Sequence, residues 1–371
     1  MHVVELFEFH LPSLPLLPLK SVLSNRSTIP AGQGSNFILE DGRSLMHCVK
    51  VTLKENKINT LKYDPFIYDN KCSVCHCDRD EEEEVLIMCD WCPSAFHPTC
   101  VGLNEVPYQN HNYNWTCPSC SCGICGNGRK HRLVFCHHCP MKYHTGCITK
   151  DGKKKINKFC SKGCVQIYRG LRNIRRGKPI PVAGGNNNLT WTLLKLTGSK
   201  RTDIFKKAEN YKNLERALYV MRECFDYNQK QRIVIEDVIM GGGALKFKKF
   251  YTAVLKSGDE LITVATVRIH GEKLAEIALV ATRSQYRRLG MCRALINELE
   301  KQLSDLGVER LTVPLPAIPS DLHTCFSSLG FSKMTLYERS RLLKYTLLDL
   351  PDTVMWHKFL KGFFFKFKPV Q

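Results

Sequence analysis

Nowhere does this 371-residue chain hold the ~20 consecutive apolar residues that a membrane-spanning helix needs. The apolar stretch Leu11–Leu19 is broken by prolines and preceded by Glu5 and Glu8, so it reads poorly as a secretory leader. Without a leader, a disulfide framework is disfavoured, and the 19 cysteines read instead as metal ligands in a reducing compartment. Acid is short as well. Against 54 Lys and Arg stand 35 Asp and Glu, a formal net charge of +19, which favours polyanionic surroundings such as nucleic acid. No internal repeat is visible outside the cysteines.

Those cysteines are concentrated: 15 of the 19 lie between Cys72 and Cys164, in two rounds of one spacing. The first round is Cys72, Cys75, Cys89, Cys92, His97, Cys100, Cys117 and Cys120. The second is Cys122, Cys125, Cys136, Cys139, His144, Cys147, Cys160 and Cys164. Thiolates at CxxC spacing grip one tetrahedral Zn²⁺ from a single turn, so eight donors hold two ions per round and up to four in all. Register is open at the junction, where only Ser121 separates Cys120 from Cys122, and Cys77, His111, His137 and His138 are spare donors.

A single histidine in fifth place, Phe96 beside it and Trp115 two residues before the seventh ligand resemble a PHD finger. A RING finger, with its histidine in fourth place, ranks behind, and ubiquitin ligation with it. The resemblance implies a cross-brace: the first pair shares one zinc with His97 and Cys100, while Cys89, Cys92, Cys117 and Cys120 share the other. The second round keeps the order but ends in Cys-x3-Cys, lacks the tryptophan and is PHD-like. PHD fingers commonly pair a histone-tail strand with their small sheet. Ala95 stands where trimethyl-lysine readers often keep a cage tryptophan. The acids Asp80, Glu81, Glu82, Glu83 and Glu84 suit a free ammonium, which implies an unmethylated lysine on a histone H3 tail; a solvated loop is the equal alternative.

Length alone predicts two to three domains. The expected division is a disordered lead (1–35), a pre-finger segment with short strands (36–70), a PHD-type finger (71–121), a PHD-like finger (122–165), a basic linker (166–190), an α+β domain (191–350) and a tail (351–371). From Lys150 to Lys178 there are 11 Lys or Arg and one acid, suited to DNA phosphates or nuclear import, or simply solvated. Leu214, Ala217, Leu218, Met221 and Phe225 recur at helical spacing. Strands are expected at 232–238, 250–255, 261–269, 274–282, 310–314 and from Phe331. Helices are expected over Leu295–Leu306, closed by Gly307, and near 322–329.

The segment around Lys273–Thr282 and Arg287–Cys292 reads as a strand, a tight basic loop and a helix start, which presents backbone N–H groups to a pyrophosphate. It resembles the GNAT acetyl-CoA-dependent N-acetyltransferases, whose Gln/Arg-x-x-Gly-x-Gly/Ala signature is matched by Arg287, Gly290 and, with a departure, Cys292. The resemblance implies an antiparallel-rich mixed sheet flanked by helices, and acetyl-CoA held by Leu279, Val280, Ala281, Thr282, Arg287, Arg288, Leu289, Gly290, Met291, Cys292 and Arg293. Glu276 falls where histone acetyltransferases keep their general base, and the Val280 N–H would stabilise the oxyanion. No tyrosine stands near Gly330-Phe331 to protonate the leaving thiolate; Phe326 and Leu329 do. Fingers, connector and loop together, over about 36–350, resemble the plant PHD-finger/GNAT proteins. The resemblance implies a nuclear histone lysine acetyltransferase that works with a chromatin regulatory complex and uses no membrane. The rival is a chromatin reader with a silent acetyltransferase fold.

Overall fold

A computed structural model describes residues 71–77, 86–92, 94–103, 115–128, 132–148, 158–182, 189–196, 204–224, 229–241, 249–348, 350 and 353–360. The lead, the pre-finger segment and the acidic run Asp80–Glu84 lie outside the described residues.

In the first finger, β1 (Ile87–Met88) pairs antiparallel with β2 (Ala95–Phe96). So short a ladder cannot hold itself; Val74, Leu86, Ile87, Ala95 and Phe96 pack around the ligand sulfurs, and Trp115 meets Phe96 edge-on at 5.4 Å. The second finger repeats the device with β3 (Leu133–Phe135), β4 (Lys142–His144) and a short helix α1 (Thr145–Ile148). Ser121 is buried and donates to the Cys117 carbonyl at 3.1 Å, so the fingers abut without a spacer.

Helix α2 (Lys162–Arg176) starts on the second finger, its first turn capped by the Ser161 side chain, which accepts from the Cys164 N–H. It occupies much of the stretch read as a basic linker. The sequence reading weighed the arginines and overlooked Ile167, Leu171 and Ile174 at spacings of four and three, which form the apolar stripe of an amphipathic helix. Ile167 and Leu171 are buried in the main core beside Trp191 and Leu299. Gly163 and Gly170 permit the approach: a Cβ on Gly170 would sit 2.1 Å from a Leu306 methyl.

After α2 come β5 (Ile180–Pro181), β6 (Leu189–Leu194), α3 (Ile204–Cys224), α4 (Gln229–Met240), β7 (Tyr251–Ser257), β8 (Glu260–Ile269), β9 (Ala275–Thr282), α5 (Met291–Asp305), β10 (Arg310–Pro316), α6 (Asp321–Ser328), β11 (Ser332–Lys333), α7 (Leu336–Ser340) and β12 (Thr353–Phe359). The eight strands β5–β12 form one sheet in the order β11-β12-β10-β9-β8-β7-β6-β5, antiparallel except between β9 and β10. Strand alternation feeds two apolar layers. Trp191, Ala265, Val267 and Val313 face α2, α5 and α6, while Val254, Val264 and Ala281 face α3 and α4.

Two expectations differ from this. Residues 232–238, read as a strand from their β-branched run, lie in α4, where Ile235, Val238 and Ile239 recur at helical spacing and are buried. The segment read as a tail contains β12, which inserts between β10 and β11 with Leu311↔Lys358 and Ser332↔His357 in register. Its alternation of Val354, Trp356 and Lys358 with Met355 and His357 is an ordinary strand pattern.

Both fingers are anchored to the sheet domain. Lys249, just before β7, donates to the carbonyls of Cys136 and, at 2.7 Å, Cys139. On the other side Leu343 packs into the first finger's apolar cluster, and Arg339 donates to the Ser73 carbonyl at 3.2 Å. Leu343→Asp is therefore expected to raise hydrogen exchange across residues 72–103 while leaving α5 protected; equal exchange in both would show that the contact does not hold the finger.

Candidate metal centres and active site

Among the described residues four clusters of ligand atoms form, in each of which all the atoms lie within 4.8 Å of one another. They are Cys72, Cys75, His97 and Cys100; Cys89, Cys92, Cys117 and Cys120; Cys122, Cys125, His144 and Cys147; and Cys136, Cys139, Cys160 and Cys164. Cys120 thus sits with the first finger and Cys122 with the second, while Cys77, His137 and His138 stand outside every cluster; His111 lies outside the described residues.

The spacing suits zinc. Tetrahedral bonds of ~2.3 Å put sulfurs about 3.8 Å apart. Here Cys92 and Cys117 are 3.6 Å apart, Cys136 and Cys164 3.8 Å, Cys139 and Cys160 3.5 Å, and Cys122 and Cys147 3.9 Å. Both histidines turn Nδ1 to the cysteines, His97 at 3.3 Å from Cys75 and His144 at 3.5 Å from Cys125. Backbone amides support the sulfurs as well: those of Val74 and His97 donate to Cys72, and those of Trp91 and Cys117 to Cys89. Such bonds fix the positions of the sulfurs around the place a metal would take.

In the sheet domain, β9 and β10 share two ladder pairs, Leu311↔Ala275 and Thr312↔Glu276. Beyond Glu276 the strands part. A bulge in β9 between Ile277 and Leu279 turns the strand just there, and the Leu279 N–H donates to the Thr266 hydroxyl at 3.1 Å. The Arg283 N–H also bonds back to β8, at Ile262. Alternation then sends the Val280 N–H the other way, into the opening between β9 and β10. The Thr282 carbonyl likewise turns from β8 and accepts from Arg287 and Cys224, each at 3.1 Å. Leu279 and Ala281 are buried, and Val280 and Thr282 are half-buried.

At the end of β9 the chain makes one 3-10 turn (Ser284–Tyr286) and enters α5 through Gly290 at φ 78°. Only glycine adopts that angle freely. Among the described residues no side chain caps α5, and its first internal bond runs from Ala294 to Gly290, so the amides of Met291, Cys292 and Arg293 have no acceptor within the helix. Arg293 is tied to the Ser328 hydroxyl at 2.7 Å; Arg288, at φ 61°, reaches Asp321 at 3.2 Å in a fully solvated pair of little energetic weight. Leu289 is 60% exposed at the rim. Cys292 is half-buried on the first turn of α5 and packs, like Cys325 of α6, against the main core.

Glu276 is 0% exposed and fully engaged. Arg268, its direct partner across β8 and β9, reaches it at 2.8 and 3.0 Å, His270 Nε2 lies at 3.2 Å, and the Leu348 N–H donates to its other oxygen. Arg268 also donates to the Thr346 carbonyl at 2.5 Å, so the segment Tyr345–Leu348 lies over the carboxylate. Burial alone would raise the Glu276 carboxyl, but the Arg268 charge, the His270 bond and the Leu348 amide outweigh it and bring it down to about 2. Burial depresses His270, the bond to Glu276 acting against that. Near neutrality, then, a carboxylate, a guanidinium and a neutral imidazole share this site. Sequence reasoning singled out Glu276 as a base and did not foresee its clamp. The available signal was Arg268, the one charged residue among the nine that follow Glu260 in β8. Beside Tyr345 opens a cleft of about 380 Å³, lined by Arg310, Tyr337, Arg341 and Phe359.

The fold and sites define two fingers built on metal-ligand clusters, joined to a mostly antiparallel eight-stranded sheet flanked by helices. Residues 72–120 match the PHD-finger family, and residues 224–359 match the family described as Increased DNA methylation 1, C-terminal domain. The chain is 36% identical over 314 residues to Increased DNA methylation 1 of Arabidopsis thaliana, a match spanning 79% of this chain and 25% of that protein. PHD finger protein 10 of Homo sapiens is 31% identical over 94 residues, 23% of this chain and 19% of that one. The chain thus spans a quarter or less of these relatives. Among solved structures, Tetrahymena GCN5 aligns over 47% of this chain and 97% of its own, at 16% identity and a TM-score of 0.35. The chain is thus similar to Increased DNA methylation 1 over most of its own length, and one segment of it matches the PHD-finger family.

Proposed function

We propose that this chain is a nuclear, chromatin-bound lysine acetyltransferase whose zinc fingers dock a histone tail and whose sheet domain acetylates it. The observation that carries the reading is the opening between β9 and β10, with the Val280 N–H turned into it and the uncapped first turn of α5 at its mouth. Acetyl-CoA, when bound, supplies an activated acetyl thioester. Met291, Cys292 and Arg293 offer their amides to its pyrophosphate, assisted by Arg287 and Arg288. Leu279–Thr282 line the pantetheine path, and the Val280 N–H donates to the developing oxyanion. Glu276 takes a proton from the lysine ammonium through water, which requires Tyr345–Leu348 to withdraw. The acids Asp80–Glu84 of the first finger receive an unmethylated lysine of the tail.

A second reading, a chromatin reader with a silent acetyltransferase fold, draws on the same glutamate. A carboxyl held near 2 and sealed by Arg268 and Leu348 is a weak base. Titration with acetyl-CoA and mass mapping of acetylated histone peptides separate the two. Gly290→Val, which forces a β-branched residue to positive φ, is expected to weaken acetyl-CoA binding about tenfold or more with the fingers intact. No acetyl-CoA binding by the full chain would remove the enzymatic reading. Binding without turnover would leave the reader.

A further inference from the structure

On α2 the apolar stripe and the charges are segregated. Ile167 and Leu171 point into the core, and Lys162, Arg169, Arg172 and Arg176 are all exposed on the opposite side. At 100° per residue these four lie within about 80° of one another, a single basic stripe along a 15-residue helix. The helix carries no acid, and Lys178, also exposed, follows just past its end. None of these five cations has an ion-pair or hydrogen-bond partner among the described residues, whereas Arg222, Arg283 and Lys358 elsewhere are paired with glutamates.

We infer that this face of α2 is a docking surface for duplex DNA, gripping the phosphates of one strand without reading bases. From Arg169 to Arg176 the helix rises about 10.5 Å, close to the axial spacing of three phosphate steps at ~3.4 Å each. The exposed stripe has no aromatic residue on which an unpaired base would stack, so it suits a duplex rather than a single strand. Its mounting is rigid at both ends. Cys164 belongs to a metal cluster and Leu171 to the sheet core, so little chain entropy is lost on binding. The surface is independent of the acyl-transfer site, on a different helix from α5. It would hold the fingers and the sheet domain against DNA together, because α2 is built into both.

The test uses the full zinc-loaded chain and a 30-base-pair duplex of arbitrary sequence. Binding is expected to fall steeply with salt and to change little when the sequence is scrambled. Replacing Arg169, Arg172 and Arg176 together with glutamine should weaken it roughly tenfold or more and reduce the log–log salt slope by about three. The corresponding triple lysine variant should keep most of both. Unchanged melting temperature and zinc content in each variant exclude a folding defect, as the side chains are exposed. Equal affinity and slope in the glutamine variant would overturn the inference. So would a preference for single-stranded RNA or polyglutamate over the duplex. Loss of acetyl transfer with DNA binding intact would remove the enzymatic reading and leave this one standing.

Discussion

Glu276→Gln is expected to destabilise the chain by about 3–5 kcal/mol, because it leaves the buried Arg268 guanidinium without its counter-charge. Both side chains are almost wholly inaccessible, at 1% and 0%, so water cannot replace the lost partner. A paired change, Arg268→Met with Glu276→Met, should recover much of the loss, since apolar replacement of a buried ion pair is often neutral or better. Urea unfolding of the three variants checks this. A glutamine variant as stable as the parent would mean that the pair opens to solvent in solution.

The same site sets a pH dependence. The folded Glu276 carboxyl lies at about 2, below the ordinary value of 4.5, so its contribution is complete above about 4.5. It fades as pH falls from there towards 2, where the folded carboxyl itself protonates. Any acetylation assay on the glutamine variant therefore needs a stability measurement beside it, or a loss of fold will pass for the loss of a base.

Cys164→Ser is expected to have the other large effect, and to act well beyond the finger. Cys164 is a donor of the fourth metal cluster, and three residues later the same helix buries Ile167 in the sheet core. Structural zinc in small fingers is worth roughly 10–16 kcal/mol of apparent binding energy. Losing its grip here should release the Lys249 bonds to Cys136 and Cys139, loosen α2 and lower the melting temperature of the sheet domain. Cys125→Ser, at an exposed donor of the neighbouring cluster, should leave that domain's melting temperature much closer to the parent's. Calorimetry with hydrogen exchange across β6 and β7 compares the two; equal effects on the sheet would show that α2 does not transmit the metal's contribution.

Much of this was legible because ligand chemistry and strand periodicity are local. The order of cysteines and histidines announced paired metal clusters, and the apolar, β-branched runs 261–269 and 274–282 announced the two central strands. The run from Thr282 to Cys292 announced a tight turn into a helix. What escaped reading depended on neighbours distant in sequence. The stripe of Ile167, Leu171 and Ile174 is the exception, local in its spacing but masked by the surrounding arginines. Strand β12 makes sense only once β10 and β11 offer it edges on both sides. The clamp on Glu276 needs Leu348, 72 residues away, and no spacing rule reaches that far.

The reach of α2 bears on how this protein can be dissected. A fragment beginning at residue 191 would keep the loop that leads into α5 yet strip away β5, part of β6 and the helix that covers Trp191. The uncovered seam is oily enough to drive aggregation. Silence from such a piece would report on where it was severed, not on its chemistry.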